Sequence, residues 1–219
     1  IIVREVKGAL LVPIEAVALK LFTGIEKFEI MAVPFFILAG NFLTHGGVAR
    51  RMIAFATSMV GHWHGGLALA GVMACALFAA VSGSSPATVV AIGSVILPAM
   101  VAHGFPKNFG AGVITTSGSL GILIPPSIPM VIYALVSGAS VGALFLGGVI
   151  PGVLMALAMM VVVQIIAVRR NMPREAPVPL AQWPSILFRG ALPLSMPIVL
   201  LGGIYSGAFT PTEAAAVAA

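Results

Sequence analysis

The chain has 219 residues, of which 60% are hydrophobic and only 8% charged, with a mean hydropathy of +1.14 and a net charge of +5. Soluble globular domains carry about a quarter charged residues, so this composition excludes one, and long apolar runs without polar alternation exclude a membrane β-barrel. The positive balance is no mark of nucleic-acid binding, because the basic residues stand at the ends of apolar runs, where the positive-inside rule places them. The composition therefore predicts an all-α, polytopic membrane protein in contact with the lipid bilayer. Its one cysteine, Cys75, permits no intrachain disulfide. The first residue is Ile1, and the last residues, Ala214 to Ala219, lie in an apolar helix-like run. A fragment of a longer membrane protein is expected.

Residues 1–30 interleave Arg4, Glu5, Lys7, Glu15, Lys20, Glu26, Lys27 and Glu29 with Leu, Val, Ile and Phe. That charge density is too high for a span, so the segment reads as an amphipathic interfacial helix or a connector. Residues 31–65 hold an apolar stretch up to Phe42, a break at Gly46-Gly47 and a membrane-edge pair, Arg50-Arg51. A short helix from Met52 to Val60 is expected to lie at that edge. His62-Trp63-His64-Gly65-Gly66 follows and suits the headgroup region, where amphipathic rings settle. An i, i+2 histidine pair splays on a helix, and no carboxylate lies nearby, so it does not read as a metal site.

From Leu67 to Ala102 there is no Asp, Glu, Lys or Arg. Two full crossings need about 40 residues, so residues 66–102 fit better as a re-entrant hairpin. Val81-Ser-Gly-Ser-Ser-Pro-Ala-Thr88 stands at its middle, with Ser82 to Ser85 as the tip. Pro86 is expected at the first helical position of the second arm, capped by Ser84 or Ser85.

Residues 107–137 are apolar and long enough to cross, yet Ser117 to Pro129 cannot be a continuous helix. Gly118 and Gly121 loosen the backbone. Pro125, Pro126 and Pro129 lack an N–H and clash with the preceding turn. Two half-helices joined by an unwound segment are expected. At membrane depth such backbone survives only where it is buried in protein or lines a wet cavity, and broken spans point to the binding sites of transporters.

One more span is expected over residues 143–168. Arg169, Arg170 and Arg174 then open a Pro-rich loop, 169–190, in which Trp183, Phe188 and Arg189 read as interfacial. Leu192 to Tyr205 is the next span. Thr210 then caps a further helix, with Pro211 as its first residue and Glu213 complementing its positive end. Counting crossings puts Arg50-Arg51, Lys107, the Arg169–Arg174 cluster and Arg189 on one face, expected to be cytoplasmic. Pro13-Ile-Glu-Ala-Val-Ala18 faintly echoes Pro211-Thr-Glu-Ala-Ala-Ala216, as an internal repeat does.

The candidate substrate- and ion-binding residues come from the two interruptions. The tip supplies Ser82, Gly83, Ser84, Ser85 and Thr88. The broken helix supplies Gly118, Ser119, Gly121, Ile124, Pro125, Pro126 and Ser127. Unwound carbonyls, hydroxyls and the ends of half-helices meet a ligand there. An enzyme is not expected. Ser82–Ser85 lacks a base within reach, and no Gly-x-Ser-x-Gly elbow, phosphate-binding loop or zinc helix is present. No metal or redox cofactor site is visible, and no polar stripe at helical spacing marks a channel. Membrane proton relays use Asp, Glu or His, and none occurs from Phe109 to Val168. The coupling ion expected is therefore Na⁺, bound at those same residues, with side-chain oxygens from Ser119 and Thr88.

The chain resembles the large membrane subunit of the tripartite ATP-independent periplasmic (TRAP) transporters, the DctM-like permeases. The resemblance rests on Val33-Pro-Phe-Phe-Ile-Leu-Ala-Gly40, Gly46-Gly-Val-Ala-Arg-Arg51, Val81-Ser-Gly-Ser-Ser-Pro-Ala-Thr88, Gly121-Ile-Leu-Ile-Pro-Pro-Ser127 and Gly202-Gly-Ile-Tyr-Ser-Gly-Ala-Phe-Thr-Pro-Thr-Glu-Ala-Ala-Ala216. It implies a sodium-coupled, elevator-type importer in the bacterial inner membrane. Its expected partners are a small membrane subunit and a periplasmic substrate-binding protein that delivers a carboxylate or acidic sugar. Residues 31–65 would then be scaffold, 66–168 half of a transport domain, and 191–219 the start of a second repeat. Two other readings stay open: a binding-protein-independent elevator dicarboxylate symporter, and a non-transporting membrane scaffold segment.

Overall fold

The structure is a computed structural model that describes residues 17–19, 32–176, 178–179 and 183–218. Its helices are α1 Ala32–His45, α2 Val48–Val60, α3 Gly66–Ser82, α4 Ser85–Ala102, α5 Lys107–Gly118, α6 Leu120–Leu123, α7 Ile128–Ser137, α8 Val141–Arg169, α9 Trp183–Tyr205 and α10 Pro211–Ala218. Among the described residues there is no strand, as an all-α membrane protein requires. Nearly all of the expected amphipathic segment 1–30 lies outside the described residues, and so does the Pro13 end of the repeat echo.

Ser85–Ala102, Lys107–Ser137 and Val141–Arg169 are long and apolar enough to cross a membrane, and α1 with α2, bent by 68°, would make a fourth span. The 29 residues of α8 reach about 44 Å, against about 30 Å of hydrocarbon. Its outward side chains, Leu146, Ile150, Val153, Leu154, Leu157, Val161 and Ile165, are all exposed and all apolar. In water such a surface is a liability; in lipid it is what a span needs.

The main core forms where α3, apolar on every side, is wrapped by α2, α4, α5 and the end of α8. Leu69, Val72, Phe78, Ile92, Ile96 and Met100 are fully buried there. A helix that is apolar all round must be covered on all sides, and this one is. A second group joins α1, α9 and α10 through Ala39, Leu200 and Ala214, and through Ala32, Phe36 and Ala215.

One strap shows where the ends of the hairpin lie. Residues 172–175 cross the turn between α2 and α3. The Gly65 N–H donates to Pro173 O at 3.1 Å and the Glu175 N–H to Gly61 O at 3.1 Å. Met172 is buried in the main core, Arg174 hydrogen-bonds His64, and His103 Nε2 lies 3.8 Å from Glu175 Oε1. The start of α3, the end of α4, the start of α5 and the end of α8 therefore share one face. The hairpin α3–α4 therefore starts and ends on the same side of the protein. Lys107 and Arg169 to Arg174 meet on that basic face.

Some boundaries differ from expectation. The helix α2 starts at Val48, so Arg50 and Arg51 sit in its first turn rather than before it. It is amphipathic, with Met52, Ile53 and Ala56 buried and both arginines exposed. The helix α8 starts at Val141, where Ser140 Oγ accepts the Ala143 N–H at 3.4 Å. The helix α9 takes in Trp183 to Phe188 as its first turns, and its apolar part is Leu194–Tyr205. At the start of α10, Thr210 and Glu213 cap each other reciprocally: Thr210 N–H to Glu213 Oε2 at 2.8 Å, and Glu213 N–H to Thr210 Oγ1 at 3.3 Å.

The shared face makes a topological prediction. In a Cys75→Ala background, cysteines at Lys107 and Arg170 should react with a membrane-impermeant thiol reagent from the same side only. Labelling from opposite sides would mean that the strap does not form.

Candidate functional site

The hairpin turns through two residues. Gly83 ends α3 in the left-handed region, φ +61°, with its N–H on Ala79 O at 3.1 Å. A side chain is strained there, so glycine is the natural choice. Ser84 is extended and α4 begins at Ser85, which puts Pro86 at the second helical position instead of the first. The cap also differs from expectation. No serine hydroxyl caps α4; the Ser84 carbonyl instead takes both the Thr88 N–H, at 3.1 Å, and the Thr88 hydroxyl, at 2.8 Å. With its proton committed to Ser84 O, Thr88 Oγ1 accepts from the Ser82 hydroxyl at 3.0 Å. Ser82 and Thr88 are both buried.

The broken helix is tighter than a simple unwound segment. One short helix, α6, fills its middle, so that the non-helical residues are Ser119 and Ile124 to Ser127, with a cis peptide between Pro125 and Pro126. A continuous helix would send the N–H of residue 126 to the carbonyl of residue 122. Pro126 has none, and the Ser127 hydroxyl takes its place, donating to Ile122 O at 2.6 Å. The Ile128 N–H, freed from its own helix, crosses to Gly83 O at 3.1 Å. The tip and the break are thus joined through main chain.

Gly118 and Gly121 do not loosen the backbone as expected; both lie inside helices. Their role is space. A Cβ on Gly121 would stand 2.8 Å from Ser84 C and Ser85 N, and one on Gly83 would stand 2.8 Å from Pro126 O. Gly118 lies against Val89 of α4. From the other side, Gly148 and Gly152 of α8 let that helix press on Leu123 O and Ile124. Those two glycines were not among the expected site residues. Their i, i+4 spacing is the small-residue signature of close helix packing in membranes, and it stands in the sequence.

Ser82, Gly83, Ser84, Ser85, Thr88, Gly121, Pro126 and Ser127 accordingly meet at one junction. Ile124 turns toward Gly152, and Pro125 is buried beside it. Ser119 does not join the hydroxyl pair. It is exposed, it donates to Thr116 O at 2.7 Å, and it lines a groove between α5 and α8. Four helix ends converge at the junction: the N-termini of α4 and α7 and the C-termini of α3 and α6. The first pair favours negative charge and the second positive. Among the described residues, no cluster of His, Cys, Asp or Glu forms that could hold a metal ion.

The groove has a volume of about 680 Å³. The exposed residues of α5 and its C-cap are Lys107, Asn108, Gly112, Thr115, Thr116 and Ser119. From Asn108 onward their spacing is i, i+4, i+7, i+8, i+11, one helix face. This is a polar stripe of the kind the sequence was expected to lack. The apolar residues between its members mask it in a linear reading.

The family model described as "Tripartite ATP-independent periplasmic transporter, DctM component" matches residues 2–219. The chain is 65% identical to the C4-dicarboxylate TRAP transporter large permease protein DctM of Rhodobacter capsulatus, over 95% of the chain and 50% of that protein. It is 46% identical to the isethionate TRAP transporter permease protein DctMQ of Oleidesulfovibrio alaskensis, over 94% of the chain and 33% of that protein. With the ectoine TRAP transporter large permease protein TeaC of Halomonas elongata the identity is 42%, over 92% of the chain and 47% of that protein. The chain thus spans half or less of the length of these relatives.

Two substitutions probe the junction. Thr88→Val removes the nearer of the Ser82 hydroxyl's two acceptors, leaving only Ser84 O at 3.5 Å, and should cost about 1–3 kcal/mol, read as a lower thermal midpoint in detergent, while Thr88→Ser should recover most of it. Gly83→Leu should abolish uptake by the complete permease without preventing its membrane insertion. Unimpaired uptake by Gly83→Leu would show that the contact with Pro126 is dispensable.

Proposed function

We propose, for a chain that belongs to the DctM component family of the tripartite ATP-independent periplasmic transporters, that it forms the hairpin-bearing half of a sodium-coupled large permease importing an organic anion. The observation that carries this reading is the main-chain junction of Gly83 and Ile128, where two helix N-termini and two helix C-termini meet. A carboxylate suits the N-terminal ends and a small hard cation suits the carbonyl-rich C-terminal ends. No Arg or Lys lies between Phe109 and Val168 to bind an anion by direct charge, so backbone, hydroxyls, bound Na⁺ or the remainder of the permease must do so. The C4-dicarboxylate named for the 65% identical relative supports a carboxylate; an acidic sugar has the same anionic group.

Sodium, rather than a proton, fits the titratable inventory. From Phe109 to Val168 the only such side chain is Tyr133, with a reference pKa of about 10. The hairpin and the broken helix would move together against α1, α9 and α10 in an elevator step. A small membrane subunit and a periplasmic binding protein complete the transporter, in the inner membrane of a bacterium, with the basic face toward the cytoplasm. No resident cofactor is part of this reading.

The test uses liposomes holding the complete permease, its small subunit and its binding protein. An inward sodium gradient at fixed pH should drive uptake of a C4-dicarboxylate. Uptake driven by a pH gradient with no sodium present would sink sodium coupling.

A further inference from the structure

The strap over the α2–α3 turn is held by two kinds of contact. Its main-chain contacts do not titrate. Asn171, at φ +47°, ends α8, the Met172 N–H reaches back to Ala167 O at 2.9 Å, and the Gly65 and Glu175 N–H groups each donate across at 3.1 Å. Its side-chain contacts both go to histidine, the side chain whose charge changes between about pH 5 and 8. Arg174 meets His64, and Glu175 meets His103.

The two histidines are set for opposite charge states. An arginine can only donate, so His64 Nε2 must accept, which it does only while the ring is neutral. Protonation there sets an imidazolium against a guanidinium and removes the bond. His103 is arranged the other way. Its Nδ1 lies 2.8 Å from Ala99 O, and a carbonyl can only accept, so Nδ1 carries the hydrogen. In the neutral ring Nε2 is then bare and faces Glu175 Oε1 at 3.8 Å with nothing to donate. Protonation supplies the N–H and makes an ion pair.

On the elements that meet at the strap, the remaining titratable or charged groups are His62 in the same turn, Arg169 and Arg170 at the end of α8, and Lys107 at the start of α5. Arg50 and Arg51 stand at the far end of α2, about 15 Å along its axis. All of these are basic. Among the described residues the carboxylates are Glu175 and Glu213, and Glu213 is committed to Thr210 at the start of α10. Glu175 is left as the anion for His103. Neighbouring strap residues therefore answer acid with opposite signs. The Arg174 contact is present above the histidine range and lost as pH falls through it. The Glu175 contact is present below that range and lost as pH rises through it.

We propose that the strap is a pH-sensitive clasp: acidification on the basic face releases Arg174 from the α2–α3 turn and engages Glu175 with the end of α4. Both contacts are exposed, so each is weak. The main-chain bonds keep the strap in place while its side-chain hold passes from the turn to the second arm of the hairpin. The clasp lies at the opposite end of the hairpin from the junction, and it stands whether or not sodium drives transport.

The experiment follows amide exchange by mass spectrometry on the complete permease in lipid nanodiscs, at about pH 5.5 and about pH 8, either side of the histidine range. Rates are corrected for the intrinsic pH dependence of exchange, and the segments read are those holding the Gly65 and Glu175 N–H groups. His103→Gln cannot form the ion pair, so acid can only loosen the strap, and exchange should rise about two- to fivefold at the lower pH. His64→Gln keeps an acceptor for Arg174 and cannot become cationic, so acid can only tighten the strap, and exchange should fall by a similar factor. Arg174→Gln takes the guanidinium out of the same contact and should respond as His64→Gln does. Opposite signs in His103→Gln and His64→Gln establish the clasp. The same sign in both, no response in either one, or an Arg174→Gln response that follows His103→Gln overturns it.

Discussion

Everything in this chain depends on one rule of the bilayer: a backbone N–H or C=O at membrane depth must find a partner inside the protein. Pro125 and Pro126 break that rule locally, since each deprives a carbonyl one turn back of its donor. One substitute meets the loss at Pro126, and a second bond ties the break to the tip. The Ser127 hydroxyl serves Ile122 O, and the Ile128 N–H goes outside its own helix to Gly83 O. The second bond is what makes the hairpin and the broken helix one object. Neither half of it is stable alone at that depth, because an open tip and an open break would each leave polar backbone without a partner.

The same economy shapes the electrostatics. No charged side chain is placed at the junction; the fields there come from helix ends and hydroxyl dipoles. Such fields are fixed by the fold and do not titrate. They also carry both signs within one small volume, which is what binding an anion together with a cation asks for. Gly83 and Gly121 are the price of this arrangement, since main chain can approach main chain that closely only where no Cβ intervenes.

Much of this was legible before any coordinates. A charge-free run with Gly83 and Pro86 at its centre read as a hairpin, and its two arms meet there. Three prolines read as a break, and parity placed Lys107 and the Arg169–Arg174 cluster on one face. What escaped the sequence was pairing and direction. The Ile128–Gly83 bond joins residues far apart in the chain, and no local signal marks it. Gly118 and Gly121 look like flexible positions, yet both are helical and stand where a Cβ would meet Val89 or the Ser84–Ser85 backbone. Ser119 looks like a side-chain oxygen of the broken-helix site, yet it donates to Thr116 O and lines the groove. The α5 stripe was overlooked because a face is a property of angle, and composition averages it away.

The helix α8 touches the structure firmly at two levels. Near one end Gly148 and Gly152 abut Leu123 and Ile124; near the other Ala167 abuts Gly65, and its carbonyl takes the Met172 N–H at 2.9 Å. Between Gly152 and Ala167 the helix therefore acts as a ruler of about 22 Å that sets how deep the break lies below the basic face. Rulers are indifferent to most substitutions and intolerant of miscounting. One residue inserted in that stretch would rotate everything beyond it by about 100° and shift it by about 1.5 Å, so that both contacts could not be met together. Side chains along the lipid face of α8 are free to drift among apolar residues, while the number of residues between its two anchors is not.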